Sequence, residues 1–143
     1  MPVRKGNAEW NGDLKSGTGR LATESGALKG MAYSFTSRFE EGTGTNPEEL
    51  IAAAHAACFS MALAAGLSGA GYKVASVRTE DRVHIVAREA GFVISKIEVS
   101  TEAKVDGIDE ATFLKIAEET KTGCPVSGAL KGPEMTLTAK LVH

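Results

Sequence analysis

Residues 46–69 read NPEELIAAAHAACFSMALAAGLSG, and this stretch decides the architecture. Asn46 is a preferred helix N-cap, Pro47 suits a first helical position, and Glu49 stands three residues after Asn46 as in a capping box. Glu48 and Glu49 also complement the positive end of the helix dipole. The helix is expected to run to about Ser68, where Gly69 and Gly71 stop it. It is apolar nearly all round, which predicts that protein surrounds it. Its alanines allow other elements to approach the backbone closely. A membrane span needs about 20 predominantly apolar residues, usually far more hydrophobic than alanine, so a core helix is the better reading. A chain of this size does not easily wrap such a helix on every side. A homodimer packing two copies of the helix together is therefore expected.

On the N-terminal side, 3–10, 20–23 and 31–39 read as short strands of a three-stranded meander, with the glycines from Gly12 to Gly19 forming a turn region. Residues 40–45, EEGTGT, form a Gly-rich loop. On the C-terminal side, 74–87 and 92–104 alternate with β-branched residues and form a long hairpin about Glu89, Ala90 and Gly91. Asp109 caps a second helix over 110–121, with Phe113, Leu114 and Ala117 on one face and Gly123 at its end. Cys124-Pro125 opens a short helical turn to about Leu130, and Glu134–Val142 is a closing strand. Meander, helix, hairpin, helix and strand make an α+β fold, read as a single domain over 1–143.

The 143 residues are 43% hydrophobic and 24% charged, an ordinary globular composition. The net charge of −2 has both signs interspersed, so no basic stripe offers a home for nucleic acid or anionic lipid. The N-terminus, MPVRKGNAEW, carries charge without an apolar run and does not read as a secretory signal. Two bare cysteines without such a signal suggest a reducing compartment, here the cytoplasm. They form no Cys-x-x-Cys motif, and His55, His84 and His143 lack zinc-ligand spacing.

The chemistry rests on those cysteines. Cys58 lies mid-helix among alanines, where a thiol is as a rule a small buried hydrophobe with a raised pKa. To react it needs a nearby cation, because the thiolate attacks peroxide. Cys124 stands where a helix N-cap belongs, facing unpaired N–H groups, so local physics favours it as the more acidic thiol. His55, three residues before Cys58 on the same face, allows a Cys–His dyad. His84, in a strand, and His143, at the terminus, read as incidental. Glu48 is ten residues before Cys58, about 15 Å along the helix axis and off the cysteine's face. It is placed instead to hold an arginine through a bidentate pair. Arg38, expected at the end of the third strand, is the natural candidate. Both residues also fit plain structural roles, as a first-turn dipole partner and a solvated strand end.

The stretch SRFEEGTGTNPEELIAAAHAACFSMALA (37–64) and the later KTGCPVSGALKG (121–132) resemble the OsmC branch of the OsmC/Ohr family of hydroperoxide reductases. WNGDLKSGTG, TESGAL and DEATFLKIA extend the likeness to nearly the whole chain. The resemblance implies an intertwined homodimer, with two antiparallel sheets curved around central helices. It implies reduction of organic hydroperoxides, and less well of hydrogen peroxide, by two cysteines without metal, haem or flavin. By position, Cys58 in AACF matches the peroxidatic cysteine, Cys124 in GCPVS the resolving cysteine, Arg38 in SRFE the active-site arginine, and Glu48 in NPEEL the glutamate that orients it. This reverses the local preference for Cys124 as attacker: an Arg38–Glu48 pair supplied by tertiary structure outweighs an N-cap effect.

The mechanism so implied has Arg38 hold Cys58 as thiolate, Cys58 attack the distal peroxide oxygen, and Cys124 condense with the resulting sulfenic acid to a disulfide. A dithiol reductant then reopens the bridge, with dihydrolipoyl groups on a partner protein as the donors the resemblance suggests. Phe39, Ile51, Phe59 and Met61 are expected to favour an alkyl or aryl tail. Two rival readings remain from the residues alone. One is a non-catalytic binding module with an apolar ligand pocket and packed cysteines. The other is a Cys–His hydrolase using His55.

Overall fold

The computed structural model describes residues 1–143, and the chain divides into two units, Met1–Leu50 and Ile51–His143. In the first, β1 (Gly6–Asn11), β2 (Thr18–Thr23) and β3 (Met31–Tyr33) form an antiparallel sheet in sequential order. Gly19 of β2 lies between the Trp10 and Tyr33 rings, whose centroids are 5.4 Å apart. A Cβ there would stand 2.5 Å from Tyr33, so only glycine lets the two rings approach across the strand.

The expected third strand over 31–39 is cut short. Ser34 turns the chain into a five-residue helix, α1 (Phe35–Phe39), through a reciprocal cap in which the Ser37 N–H donates to Ser34 Oγ and the Ser34 N–H donates to Ser37 Oγ. Arg38 is therefore a last-turn helical residue and not a strand end. The aromatic and hydroxyl residues of this run suit a strand, but the two serines at N-cap and N3 decide the local conformation. Residues 40–45 lead from α1 to the long helix α2 (Pro47–Gly69). Its cap is half of the expected box: the Glu49 N–H donates to Asn46 Oδ1 at 2.8 Å, while the Glu49 carboxylate accepts the Thr45 hydroxyl. The boundary between the units falls at the end of this first turn.

The second unit contains the rest of α2, then β4 (Lys73–Arg88), β5 (Gly91–Asp106), α3 (Glu110–Gly123), α4 (Pro125–Ala129) and β6 (Glu134–Val142). The β4–β5 hairpin is antiparallel, but β6 pairs parallel to β5. The second sheet is thus mixed, where an antiparallel one was expected. The α3–α4 segment acts as a crossover and brings the chain back in the direction of β5.

Along β5, Ile97, Val99, Thr101, Ala103 and Val105 all point inward with the period of two that a half-buried strand requires. They meet Phe59, Leu63 and Leu67 of α2 and Phe113 and Ala117 of α3 in one core. His55, Phe59, Leu63 and Leu67 recur every four residues, so the part of α2 in the second unit buries a single row. The sequence predicts a helix enclosed on all sides. Within the single chain, Ala53, Ala54, Ala57, Met61 and Ala65 remain exposed, Met61 at 77%.

Candidate active site

Cys58 projects from the middle of α2, and Cys124 occupies the joint position that ends α3 and caps α4. Pro125 at the first position of α4 has no N–H to satisfy, and its ring fixes the turn that presents the Cys124 sulfur. The two sulfurs are 2.7 Å apart and both cysteines are free. Cys124 is 1% exposed, whereas Cys58 is half-buried. The pair can therefore pass to a disulfide with little backbone movement.

The electrostatics of the pair are asymmetric. Burial pushes the Cys58 thiol above its ordinary range, and the contact with Cys124 adds to the rise. Burial also opposes ionisation of Cys124, but hydrogen bonding from Cys58, from the Ser127 N–H and hydroxyl, and from the Val126 N–H holds this thiol below its ordinary value. The Cys124 sulfur makes no strict cap hydrogen bond, so the N–H groups act through their dipoles. The two shifts have opposite sign, so of the pair Cys124 is the thiol that loses its proton more readily. This is the polarity that the N-cap position of Cys124 predicts.

In the first unit, Arg38 and Glu48 form the expected fork. Arg38 Nη2 donates to Glu48 Oε1 at 3.0 Å, and Nε donates to Oε1 and Oε2 at 3.2 and 3.4 Å. Glu48 is 6% exposed. The guanidinium also lies 5.1 Å from the centre of the Phe39 ring, which packs on Phe35. Beside it is a cavity of about 240 Å³ lined by Trp10, Leu14, Tyr33, Phe35, Arg38 and Phe39. Of the four apolar residues expected around a substrate tail, only Phe39 lines this cavity. Phe59 is fully buried in the core of the second unit, Met61 stands exposed, and Ile51 is half-buried on α2.

His55 makes no dyad with Cys58. Its Nδ1 is bonded to Asp81 Oδ2 of β4 and its Nε2 to Ser127 Oγ of α4, the latter at 2.7 Å. All three residues are buried. Asp–His–Ser is a constellation used for acyl transfer, but Ser127 at 6% exposure offers no carbonyl an approach. The hydrolase reading therefore loses its base and gains no usable nucleophile. Asp81 and Ser127 escape the sequence reading, although each leaves a signal. Asp81 falls on the inward phase of β4, with Val77, Thr79 and Val83, and Ser127 follows Cys124 by three residues, the N-cap to N3 spacing. His84 binds Glu98 at 2.6 Å on the β4–β5 face. No three His, Cys, Asp or Glu side chains converge as a metal site.

Residues 40–139 match the family model described as OsmC-like protein. The chain is 51% identical over 138 residues to "Peroxiredoxin OsmC" of Escherichia coli (strain K12), covering 96% of each. It is 35% identical over 99 residues to "Organic hydroperoxide resistance protein" of Xanthomonas axonopodis pv. citri, covering 68% of each. In fold it is similar to an organic hydroperoxide resistance protein from Legionella pneumophila, with a TM-score of 0.67 at 24% identity over 100% of both chains. An OsmC-like protein from Mycoplasma pneumoniae gives a TM-score of 0.76 at 12% identity and supports the fold alone. Sequence over nearly the full length and fold agree, and the chain belongs to the OsmC-like family.

Proposed function

We propose that Cys58 and Cys124 are the peroxidatic and resolving cysteines of this chain, with Arg38 and Glu48 completing the site. The chain is a thiol-dependent peroxidase acting on organic hydroperoxides, in keeping with its relatives named peroxiredoxin and organic hydroperoxide resistance protein. The Cys58 thiolate attacks the distal oxygen of the hydroperoxide, the O–O bond breaks, and the alcohol leaves after taking up a proton. Cys58 is then a sulfenic acid. The Cys124 sulfur attacks it, water leaves, and a Cys58–Cys124 disulfide remains. A dithiol reductant, such as a dihydrolipoyl group on a partner protein, restores both thiols by exchange.

The observation that carries this reading is the pair of free sulfurs 2.7 Å apart, contributed by two different helices. In this reading Arg38, its guanidinium plane fixed by Glu48, is the cation that a buried Cys58 needs. The aromatic cavity beside Arg38 accepts an alkyl or aryl tail, which bare hydrogen peroxide lacks. A homodimer covers the exposed alanine and Met61 face of α2 with a second copy of the same face. Function with free thiols at rest suits the reducing cytoplasm.

The test is the intact mass and free-thiol count of the reduced protein before and after one equivalent of cumene hydroperoxide. Fast loss of both thiols with a mass decrease of about 2 Da per chain, abolished by Cys58→Ser, is expected. Thiols that stay free over many minutes reject the assignment and favour a binding module.

A further inference from the structure

The core of the second unit contains a set of buried polar groups that the two-cysteine scheme leaves unused. Asp81 Oδ2 of β4 is bonded to His55 Nδ1, and His55 Nε2 to Ser127 Oγ at 2.7 Å. On its other side the Ser127 hydroxyl reaches Met135 Sδ of β6 at 3.8 Å. The Asp81 and His55 side chains are 0% exposed, and Asp81 Oδ1 has no hydrogen-bond partner. Stability alone does not account for such a pair, because apolar residues of similar volume in place of a buried ion pair are often neutral or stabilising. What the pair does hold is Ser127. The bond to His55 persists in either protonation state. A neutral ring with its Nδ1–H on Asp81 accepts the hydroxyl proton at Nε2. An imidazolium donates its Nε2–H to Oγ, and the hydroxyl then turns to Met135.

Helix α4 needs a fastening of this kind. Its five residues are too few for a stable helix in water, and its N-cap, Cys124, makes no side-chain cap bond. Ser127 is the N3 residue, one turn from Cys124 and on the same face. His55 and Cys58 have the same three-residue spacing on α2. The two helices therefore meet at two points in register: Cys124 on Cys58, with sulfurs 2.7 Å apart, and Ser127 on His55. We propose that Ser127, seated on the buried His55–Asp81 pair, is a positioning residue that holds Cys124 within reach of Cys58, so that disulfide closure outruns a second oxidation of Cys58. The inference rests on the assignment of Cys124 as the resolving cysteine.

Two reactions compete for the sulfenic acid at Cys58. Closure joins the Cys124 and Cys58 sulfurs and releases the sulfenic oxygen as water. A second hydroperoxide instead gives its distal oxygen to the Cys58 sulfur, which becomes a sulfinic acid, and leaves as the alcohol. Closure is intramolecular, so its rate depends on how the two sulfurs are held, and a displacement of about 1 Å costs up to about 10²-fold. The second oxidation depends on peroxide concentration and makes no use of Cys124. The seat of α4 on α2 thus sets the ratio of the two reactions. Ser127 acts on that ratio through the backbone of α4, and His55 and Asp81 act through Ser127.

Rapid mixing with cumene hydroperoxide separates the steps. Sulfenic acid at Cys58 is trapped with dimedone, closure is read as a mass loss of about 2 Da, and sulfinic acid as a gain of about 32 Da. Ser127→Ala removes the anchor. The paired replacement His55→Leu with Asp81→Val removes its seat without leaving a buried charge. In both variants sulfenic acid should form at the wild-type rate, while closure slows about 10- to 100-fold. Sulfinic acid should then accumulate at an excess of peroxide that leaves the wild type as the disulfide. The paired replacement should melt no lower than the wild type, which separates positioning from stability and carries the test if the serine variant does not fold. Wild-type closure in the paired replacement or in a folded Ser127→Ala protein overturns the anchor and leaves the two-cysteine peroxidase standing. So does a paired replacement that melts well below the wild type, since the network is then needed for stability. A wild-type protein that forms no sulfenic acid overturns the peroxidatic assignment and the anchor together.

Discussion

Glu48→Gln is the substitution that most directly tests whether the Arg38 geometry matters. The change keeps size and shape but removes the charge and replaces one acceptor oxygen by an NH₂ group that opposes the guanidinium. Breaking a fully buried ion pair costs about 3–5 kcal/mol, and breaking an exposed one about 0.2–1 kcal/mol. Glu48 is 6% exposed, but the Arg38 side chain is 38% exposed, so solvent screens much of the interaction. The loss is set at about 1–2 kcal/mol. For a chain of this length that lowers Tm by about 3–6 °C. The catalytic effect has a separate origin. Freed from the fork, the guanidinium keeps only its contact with the Phe39 ring as a guide, and misplacement of a positioning group costs up to about 10²-fold. A fall in kcat/KM for cumene hydroperoxide of about 10- to 100-fold is expected in steady-state assays with a dithiol reductant. In a double-mutant cycle with Arg38→Met, the Glu48 effect should vanish. Wild-type kcat/KM in the Glu48→Gln protein, or additive losses in the cycle, would refute the reasoning.

Two further outcomes follow from the same structure. Met61→Glu places a charge on the exposed apolar face of α2, so sedimentation at micromolar concentration should show a wild-type dimer and a weakened or monomeric variant. A monomeric wild-type protein removes the dimer. In Cys124→Ser, Cys58 loses the neighbour whose contact and charge add to the rise caused by burial. Cys58 should therefore ionise at lower pH than in the wild type, as read by ultraviolet thiolate absorbance. An unchanged or higher value contradicts the coupling of the two thiols.

The elements legible in the sequence are those where local signals and burial agree. β6 spans Glu134–Val142 as the alternation predicts, and α3 begins at the Asp109 cap, whose carboxylate accepts the Thr112 N–H. Helix α2 is equally plain, because Asn46, Pro47 and the closing glycines bracket a long alanine-rich run. Residues 31–39 mislead because the same aromatic and hydroxyl residues that favour a strand include two serines at capping spacing. Which face of α2 is buried was hidden for a different reason. Alanine dominates all its sides, so the pattern has no polar phase to read, and only the row of Phe59, Leu63 and Leu67 marks the core. Arg38 with Glu48 was found through bidentate chemistry, while Asp81 and Ser127 were missed because their partner lies on a third element far away in sequence. His55 was noticed beside Cys58 on the helix face, yet its ring nitrogens turn to β4 and α4.

The charge distribution of the thiol pair explains why the site needs more than two cysteines. Burial opposes ionisation of Cys124, but a hydrogen bond from Cys58, the Ser127 N–H and hydroxyl, and the Val126 N–H together bring the thiol below its ordinary value. Cys58 has burial against it and, of its stronger influences, only the Val126 N–H in its favour. Of the two, the thiol favoured to ionise is thus the one that is 1% exposed. On the proposed assignment, attack by the more accessible Cys58 needs an influence from outside the pair that favours its thiolate. A guanidinium does this because it attracts the anion without being able to supply a proton of its own. Once Cys58 is a sulfenic acid the requirement reverses, since Cys124 must now be the nucleophile. The N-cap position that opposes the first step then assists the second. The two steps thus place opposite demands on one proton, and in the proposed scheme Arg38 meets the first while the N-cap position of Cys124 meets the second.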